Sequence, residues 1–189
     1  KHFVFPLSKK NTVTHATATP QKKSSSTRSK KLKITGWKCV TDEVFFEKLV
    51  ALLEDTKSSP KASLVIVPDL FLLATLEEKL ASFFPEKLLT LSSKLTPKQM
   101  DVAWQKIRSG EALIILGTRQ ALFAPFAQLR QVIILFPEER LSYKQWDMTP
   151  HYEVIVGTQA LARLFHAPLV LLTPSPGLLN QGVENQKHW

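Results

Sequence analysis

The run Leu113-Ile114-Ile115-Leu116, cut off by Gly117-Thr118-Arg119, constrains the fold more than any other stretch of the chain. Consecutive large aliphatic residues leave no polar face, so a strand built from them must be covered on both sides, as in a parallel sheet between helical layers. Comparable runs recur at Leu32 to Gly36, Ala62 to Val67, Gln131 to Phe136 and Leu169 to Thr173, with a weaker one at Lys87 to Leu91. Between them lie segments with helical spacing. Asp42 to Asp55 puts Val44, Phe45, Leu49, Leu52 and Leu53 on one face, with acidic residues in its first turn. Leu70 to Phe84 turns Glu77, Glu78 and Lys79 outward. Thr96 is a good N-cap before Pro97, opening a helix through Met100, Val102, Trp104 and Ile107 that stops at Gly110. A further helix is expected from about His151 to Phe165, after a polar, aromatic-bearing loop from Pro137 to Pro150. This alternation predicts a three-layer α/β domain, a mainly parallel sheet with helices on both faces. Sites in such sheets sit at the carboxyl ends of the strands, which makes Gly117-Thr118-Arg119 the first candidate.

A chain of 189 residues that is 44% hydrophobic can bury one sizeable core and carry an appendage. It begins with Lys1 and ends in a polar run from Asn180 to Trp189, so it reads as a piece of a longer protein. The single cysteine, Cys39, rules out an internal disulfide and any multi-cysteine zinc cluster within the chain, and it fits a reducing compartment. No apolar run approaches the roughly 20 residues that a membrane-spanning helix needs. A cytoplasmic protein without membrane association is therefore expected.

The net charge of +9 is unevenly spread. Residues 1 to 31 hold eight Lys or Arg and no Asp or Glu, leaving 17 basic against 16 acidic residues in the remaining 158. The tail, rich in Ser, Thr and Lys, cannot bury enough apolar surface to offset its ordering entropy and reads as a disordered linker. Its Lys22, Lys23, Arg28, Lys30 and Lys31 suit sequence-independent, salt-sensitive phosphate contacts. A solvated linker without a partner fits the same composition. The expected organisation is thus a linker over 1–31, a folded lobe over 32–180, and a polar tail or the start of a further region over 181–189.

Several ordered blocks carry a resemblance: Val65-Ile66-Val67-Pro68-Asp69, Leu91-Ser92-Ser93, Trp104 with Ser109-Gly110-Glu111-Ala112, Leu116 to Phe126, Ser142-Tyr143-Lys144-Gln145, Pro150-His151-Tyr152 and Thr173-Pro174-Ser175. In this order and spacing the chain resembles the primosomal protein N′, or PriA-type, replication-restart helicases over about residues 32 to 180. The resemblance implies a RecA-like, P-loop NTPase-like fold corresponding to the first lobe of the helicase core. It implies an ATP-driven motor acting on stalled forks, with forked or single-stranded DNA and replication-restart proteins as partners. The family's second lobe, zinc-binding region and amino-terminal DNA-binding domain have no counterpart in this chain.

Two sites decide whether such a motor could work. A P-loop lets backbone N–H groups approach phosphate through its glycines, and adds a Lys and a Mg²⁺-binding hydroxyl. The matching place here reads Thr35-Gly36-Trp37-Lys38-Cys39-Val40-Thr41-Asp42, without the second glycine or the Gly-Lys-Thr triplet. Trp37 adds bulk, and Asp42 puts a carboxylate at a helix start that should receive an anion. Lys38 reads either as a displaced phosphate lysine or as a surface lysine. The second site follows Val132 to Leu135, where the family has Asp-Glu-Glu-His to hold Mg²⁺ and orient water. Here Phe136-Pro137-Glu138-Glu139 stand instead. Glu138 and Glu139 could serve only after a shift of the loop and otherwise form a solvated acidic turn.

The preferred expectation is therefore a helicase-like DNA-binding lobe without efficient ATP hydrolysis, with no catalytic residue, metal or cofactor assigned. Thr35, Gly36, Lys38, Thr41, Glu138 and Glu139 would be a nucleotide-site remnant. By resemblance, Gly117, Thr118 and Arg119 would lie on the DNA path, and Tyr143, Lys144, Gln145, Trp146 and Tyr152 would stack on or flank an unpaired base. Gln120 stands where the family has Ser, and Ile155 where it has Arg. In the competing reading Arg119 holds carbonyls at the sheet end and the aromatics pack locally. Two alternatives remain: an active 3′-5′ DNA helicase fragment using ATP and Mg²⁺ through Lys38 and Glu138, and a structural or protein-interaction lobe that contacts no nucleic acid.

Overall fold

The computed structural model describes residues 32–39, 41–146 and 150–174. The basic tail, with Lys22, Lys23, Arg28, Lys30 and Lys31, and the carboxyl-terminal run after Pro174 lie outside the described residues, as do the domain boundaries expected there.

Six parallel strands form the central sheet: β1 (Ile34–Lys38), β2 (Ala62–Ile66), β3 (Leu88–Leu91), β4 (Ile114–Gly117), β5 (Leu129–Leu135) and β8 (Leu169–Thr173), in the order β1-β8-β5-β2-β4-β3. Helices α1 (Asp42–Glu54), α2 (Leu70–Ala81), α3 (Pro97–Ser109) and α4 (Val154–Leu164) make the crossovers, and β6 (Lys144–Gln145) pairs antiparallel with β7 (Tyr152–Glu153) as a separate hairpin. Alternate residues along each strand feed two cores, as the two-residue period of a strand requires. Val65, Val67, Ile114, Leu116, Ile133, Leu135, Val170 and Leu172 pack with Phe45, Leu49 and Leu53 of α1 and Leu73, Leu76 and Leu80 of α2. Leu64, Ile66, Ile115, Val132, Ile134, Leu169 and Leu171 face the other way, toward Ala103 and Ile107 of α3 and Val154 and Ala162 of α4. The result is the expected three-layer α/β sandwich.

Local chemistry accounts for the element ends. Thr96 and Gln99 form a reciprocal capping box, Pro97 opens α3, and Gly110 closes it at φ 79°. Asp69 caps α2 through the Leu72 amide at 2.8 Å. Three expectations need correction. The first strand does not turn at Gly36 but runs to Lys38, held in register by β8. The fourth helix starts at Val154 rather than near His151, because Tyr152 and Glu153 are taken by the hairpin. The second helix ends at Ala81 rather than at Phe84, and a short 3₁₀ segment covers Arg119–Phe123.

Candidate nucleic-acid interface and the neighbouring nucleotide-site remnant

Gly117 ends β4 where no side chain fits. A Cβ there would come within 2.6 Å of the Ala121 Cβ and 2.8 Å of the Leu91 carbonyl oxygen. This close approach folds the 3₁₀ segment back against the strand ends and directs Thr118 and Arg119, both half-buried, to the rim of the sheet. Arg119 Nη1 donates to the Lys144 carbonyl at 3.3 Å and so ties the rim to the β6–β7 hairpin. Across the hairpin Gln145 pairs with Tyr152, and the Gln145 amide also donates to the Pro150 carbonyl at 3.2 Å. The Tyr152 ring meets Phe123 edge-on, with centroids 5.0 Å apart. Burial raises the Tyr152 pKa, while the Arg119 guanidinium pulls it down. Lys144 Nζ stands 4.9 Å from the Trp146 ring centroid, and that ring is 65% exposed. Lys144, Gln145, Trp146, His151, Tyr152 and Glu153 line a groove of about 220 Å³.

The structure thus brings Gly117, Thr118, Arg119, Lys144, Gln145, Trp146 and Tyr152 to one end of the sheet. Tyr143 is the exception. Its ring is fully buried and its hydroxyl donates to the Leu135 carbonyl and lies 3.3 Å from the Ile66 carbonyl, so it offers no face for a base to stack on. Tyr143 instead anchors the hairpin to the ends of β2 and β5. His151 and Glu153 line the groove without having been named as site residues, and Phe123 supports it through the Tyr152 ring. Phe123 had a signal in its position within the Gly117 to Phe126 stretch, and His151 in the Pro150-His151-Tyr152 block.

The residues expected as a nucleotide-site remnant lie at the same carboxyl ends but two to four strands farther along, after β5, β8 and β1. Lys38 pairs with Thr173, the Cys39 amide donates to the Thr173 carbonyl at 3.0 Å, and the Thr173 hydroxyl reaches the Glu138 oxygens at 2.9 and 2.8 Å. Lys38, Thr173 and Glu138 are therefore neighbours. Among the described residues, groups that a phosphate cradle would use are already engaged. Only residues 39 to 41 separate β1 from α1, the Cys39 N–H is engaged by the strand partner, and the Thr41 side chain already caps the Val44 amide at 3.4 Å. Thr35 is half-buried along β1, while Gly36, Trp37 and Lys38 are exposed. Trp37 lies under Lys48, whose Nζ is 3.3 Å from the ring centroid. Glu43 in the first turn of α1 has its pKa lowered by its own backbone amide and by Thr41. Where an aspartate would hold Mg²⁺, Phe136 adopts φ 51° and stacks on Phe45 with centroids 4.9 Å apart. Glu139 is exposed. These residues do not fit ATP and Mg²⁺ as a P-loop site would. Among the described residues, no three His, Cys, Asp or Glu side chains are grouped to hold a metal ion. No helix among those residues is long and apolar enough to cross a membrane.

The geometry agrees with the relatives that sequence comparison finds. The chain is 30% identical over 132 residues to replication restart protein PriA of Synechocystis, covering 70% of this chain and 16% of the relative. It is 31% identical over 137 residues to that of Haemophilus influenzae, covering 72% and 18%, and 29% identical over 126 residues to that of Bacillus subtilis, covering 67% and 15%. The chain thus spans less than a quarter of the length of the curated relatives it matches. No protein-family model matches the sequence. Among solved structures, the carboxyl-terminal domain of the S. cerevisiae protein Dbp5 aligns with a TM-score of 0.60 at 14% identity, covering 84% of this chain and 85% of that domain. The DUF1998 helicase MrfA bound to DNA aligns at 0.51 and 10% identity, covering 82% of this chain and 22% of MrfA. At such identities the likeness reports the fold alone, a RecA-like helicase domain. Over about 70% of its length, then, this chain is related to replication restart protein PriA, in the form of one RecA-like lobe.

Proposed function

We propose that this chain is a helicase-type, DNA-binding lobe that engages forked or single-stranded DNA at the carboxyl end of its sheet, with little or no ATP hydrolysis of its own. One observation carries the reading: Lys144, Trp146 and Tyr152 line one open groove in which a cation stands beside an exposed indole, and Arg119, distant in sequence, is tied to that hairpin through the Lys144 carbonyl. Arg119 and Lys144 supply charge for backbone phosphates, and the Trp146 ring supplies a stacking surface for an unpaired base. Replication restart by the PriA relatives and the DNA bound by MrfA support a nucleic-acid partner of this kind. In this reading the lobe is the first of the helicase core, the basic residues Lys22, Lys23, Arg28, Lys30 and Lys31 add sequence-independent affinity, and a second lobe in the full-length protein completes the DNA path. Weak hydrolysis follows from the Phe136 and Trp37 positions and from the spent Cys39 amide.

Fluorescence anisotropy with a labelled fork and a labelled single strand tests the reading. Trp146→Ala removes an exposed ring without disturbing the core and is expected to weaken single-strand binding by about 1–3 kcal/mol, roughly five- to hundred-fold. Arg119→Ala is expected to weaken both substrates and to flatten the salt dependence. Indifference of both substrates to both substitutions would favour a lobe that only contacts protein. The neighbouring positions of Lys38, Thr173 and Glu138 support a second reading, an ATP-dependent helicase fragment with a remodelled site. Saturable, Mg²⁺-dependent binding of a fluorescent ATP analogue that is lost in Lys38→Ala would establish it.

A further inference from the structure

The opposite end of the sheet carries a second concentration of positive charge. Lys33 immediately precedes β1, Lys61 immediately precedes β2, Arg130 is the second residue of β5, and His166 and Pro168 lead into β8. All four strands are parallel and adjacent in the order β1-β8-β5-β2, so these residues must form a row along the amino-terminal edge. Backbone bonds lock the row together: Leu169 N donates to the Lys33 carbonyl at 2.9 Å, Val132 N to Pro168 at 3.0 Å, and Ala62 N to Gln128 at 3.1 Å. Three strand spacings make the row about 14 Å long, roughly four base-pair rises of a duplex.

Two grooves run along this edge and share His166 and Pro168. One, of about 200 Å³, holds Lys33 and Arg163; the other, of about 620 Å³, holds Lys61 and Arg130. His166, at φ 53°, follows the α4 C-cap Phe165 and stands exposed at their junction. Lys33, Lys61 and Arg163 are exposed. Among the described residues, Asp55 is the only carboxylate lining either groove, and it pairs with Arg130 at 3.0 Å. The one aromatic residue among those lining the grooves, Phe165, packs against the apolar core. The edge therefore offers fixed positive charge without an open ring. The strongly basic residues 1 to 31 join the fold at this end, since Leu32 and Lys33 open it.

We propose that this edge is a second nucleic-acid surface, remote from the Trp146 groove, which takes the phosphate backbone of a duplex without reading its sequence. Lys33, Lys61 and Arg163 make the contacts, and His166 bridges the two grooves. The absence of a stacking ring selects duplex over single strand, the reverse of the Trp146 groove.

The test measures binding of the full chain to a blunt duplex of about 20 base pairs across a salt series. The triple variant Lys33→Ala, Lys61→Ala, Arg163→Ala is expected to reduce the slope of log affinity against log salt by two to three, about one per contact, and to weaken binding at least ten-fold at low salt. A control triple variant on α3 and its approach, Lys94→Ala, Lys98→Ala, Lys106→Ala, removes the same charge from exposed positions elsewhere and should leave the slope nearly intact. An unchanged slope in the first variant, or an equal loss in both, overturns the proposal. Loss of single-strand binding in Trp146→Ala with duplex binding retained bears on the other groove alone, so the two readings fail separately.

Discussion

Phe136 and Tyr143 show how single side chains reshape the end of this sheet. A non-glycine residue in the left-handed region costs on the order of 1–2 kcal/mol. Phe136 accepts that cost, keeps its amide on the Leu172 carbonyl at 2.8 Å, and offsets it by stacking on Phe45. Replacing Phe136 with Ala should therefore destabilise the fold by about 1–3 kcal/mol, through lost ring burial, in a urea titration. Tyr143 is locked in differently. Burial pushes its pKa far up, with Glu138, Asp69 and Glu139 adding to the effect, so the phenol stays neutral in the folded chain while the unfolded chain ionises near the ordinary value of about 10. Stability from this group is complete below that pH and is lost as the pH rises above it. The urea midpoint is expected to fall between pH 9 and 11, and Tyr143→Phe should make that decline shallower, at the cost of about 1 kcal/mol at neutral pH from the lost hydroxyl bonds. From sequence alone Tyr143 looked like Tyr152, a polar aromatic in a loop. Only the distant carbonyls of Ile66 and Leu135 distinguish them, and no local pattern reports such partners.

Helices whose ends carry their own chemistry were legible, and elements whose ends depend on a distant partner were not. Thr96, Pro97, Gln99 and Gly110 mark both ends of α3 within the segment itself. Thr96→Ala removes the cap to the Gln99 amide and should lower stability by about 1 kcal/mol, seen as a shift in the unfolding midpoint without a change in slope. The buried strands Ala62–Ile66 and Leu169–Thr173 were legible for a related reason, since a strand covered on both faces must be apolar throughout. Gly36 misled because glycine usually marks a turn, yet pairing with Leu171 carries β1 straight through it. The β6–β7 hairpin was equally hidden. Two residues per strand carry no period, and the hairpin is held by Arg119 and Tyr143 rather than by its own sequence.

At the scale of the whole lobe, the strand order keeps three regions apart. Arg119 and the Trp146 groove gather beyond the β4 end, the residues expected as a nucleotide-site remnant at the ends of β1, β8 and β5, and the cationic row at the opposite edge. A substitution in one region should leave the others intact, because sites without shared partners behave additively. ATP gives the sharpest contrast. A ligand present at a hundred times its dissociation constant stabilises a fold by about 2.7 kcal/mol, which for a domain of this size raises the melting temperature by roughly 5–10 °C. The Cys39 amide is bonded to Thr173 and the Phe136 ring lies against Phe45, so under the proposed function Mg²⁺-ATP at millimolar concentration is expected to leave the melting temperature unchanged. A single-stranded oligonucleotide in the same assay should raise it, and Trp146→Ala should abolish that rise. The opposite pattern, a rise with Mg²⁺-ATP that Lys38→Ala removes, would mean that Lys38 and Glu138 form a working site at the end of β8, with nucleotide rather than DNA as the ligand that this lobe holds.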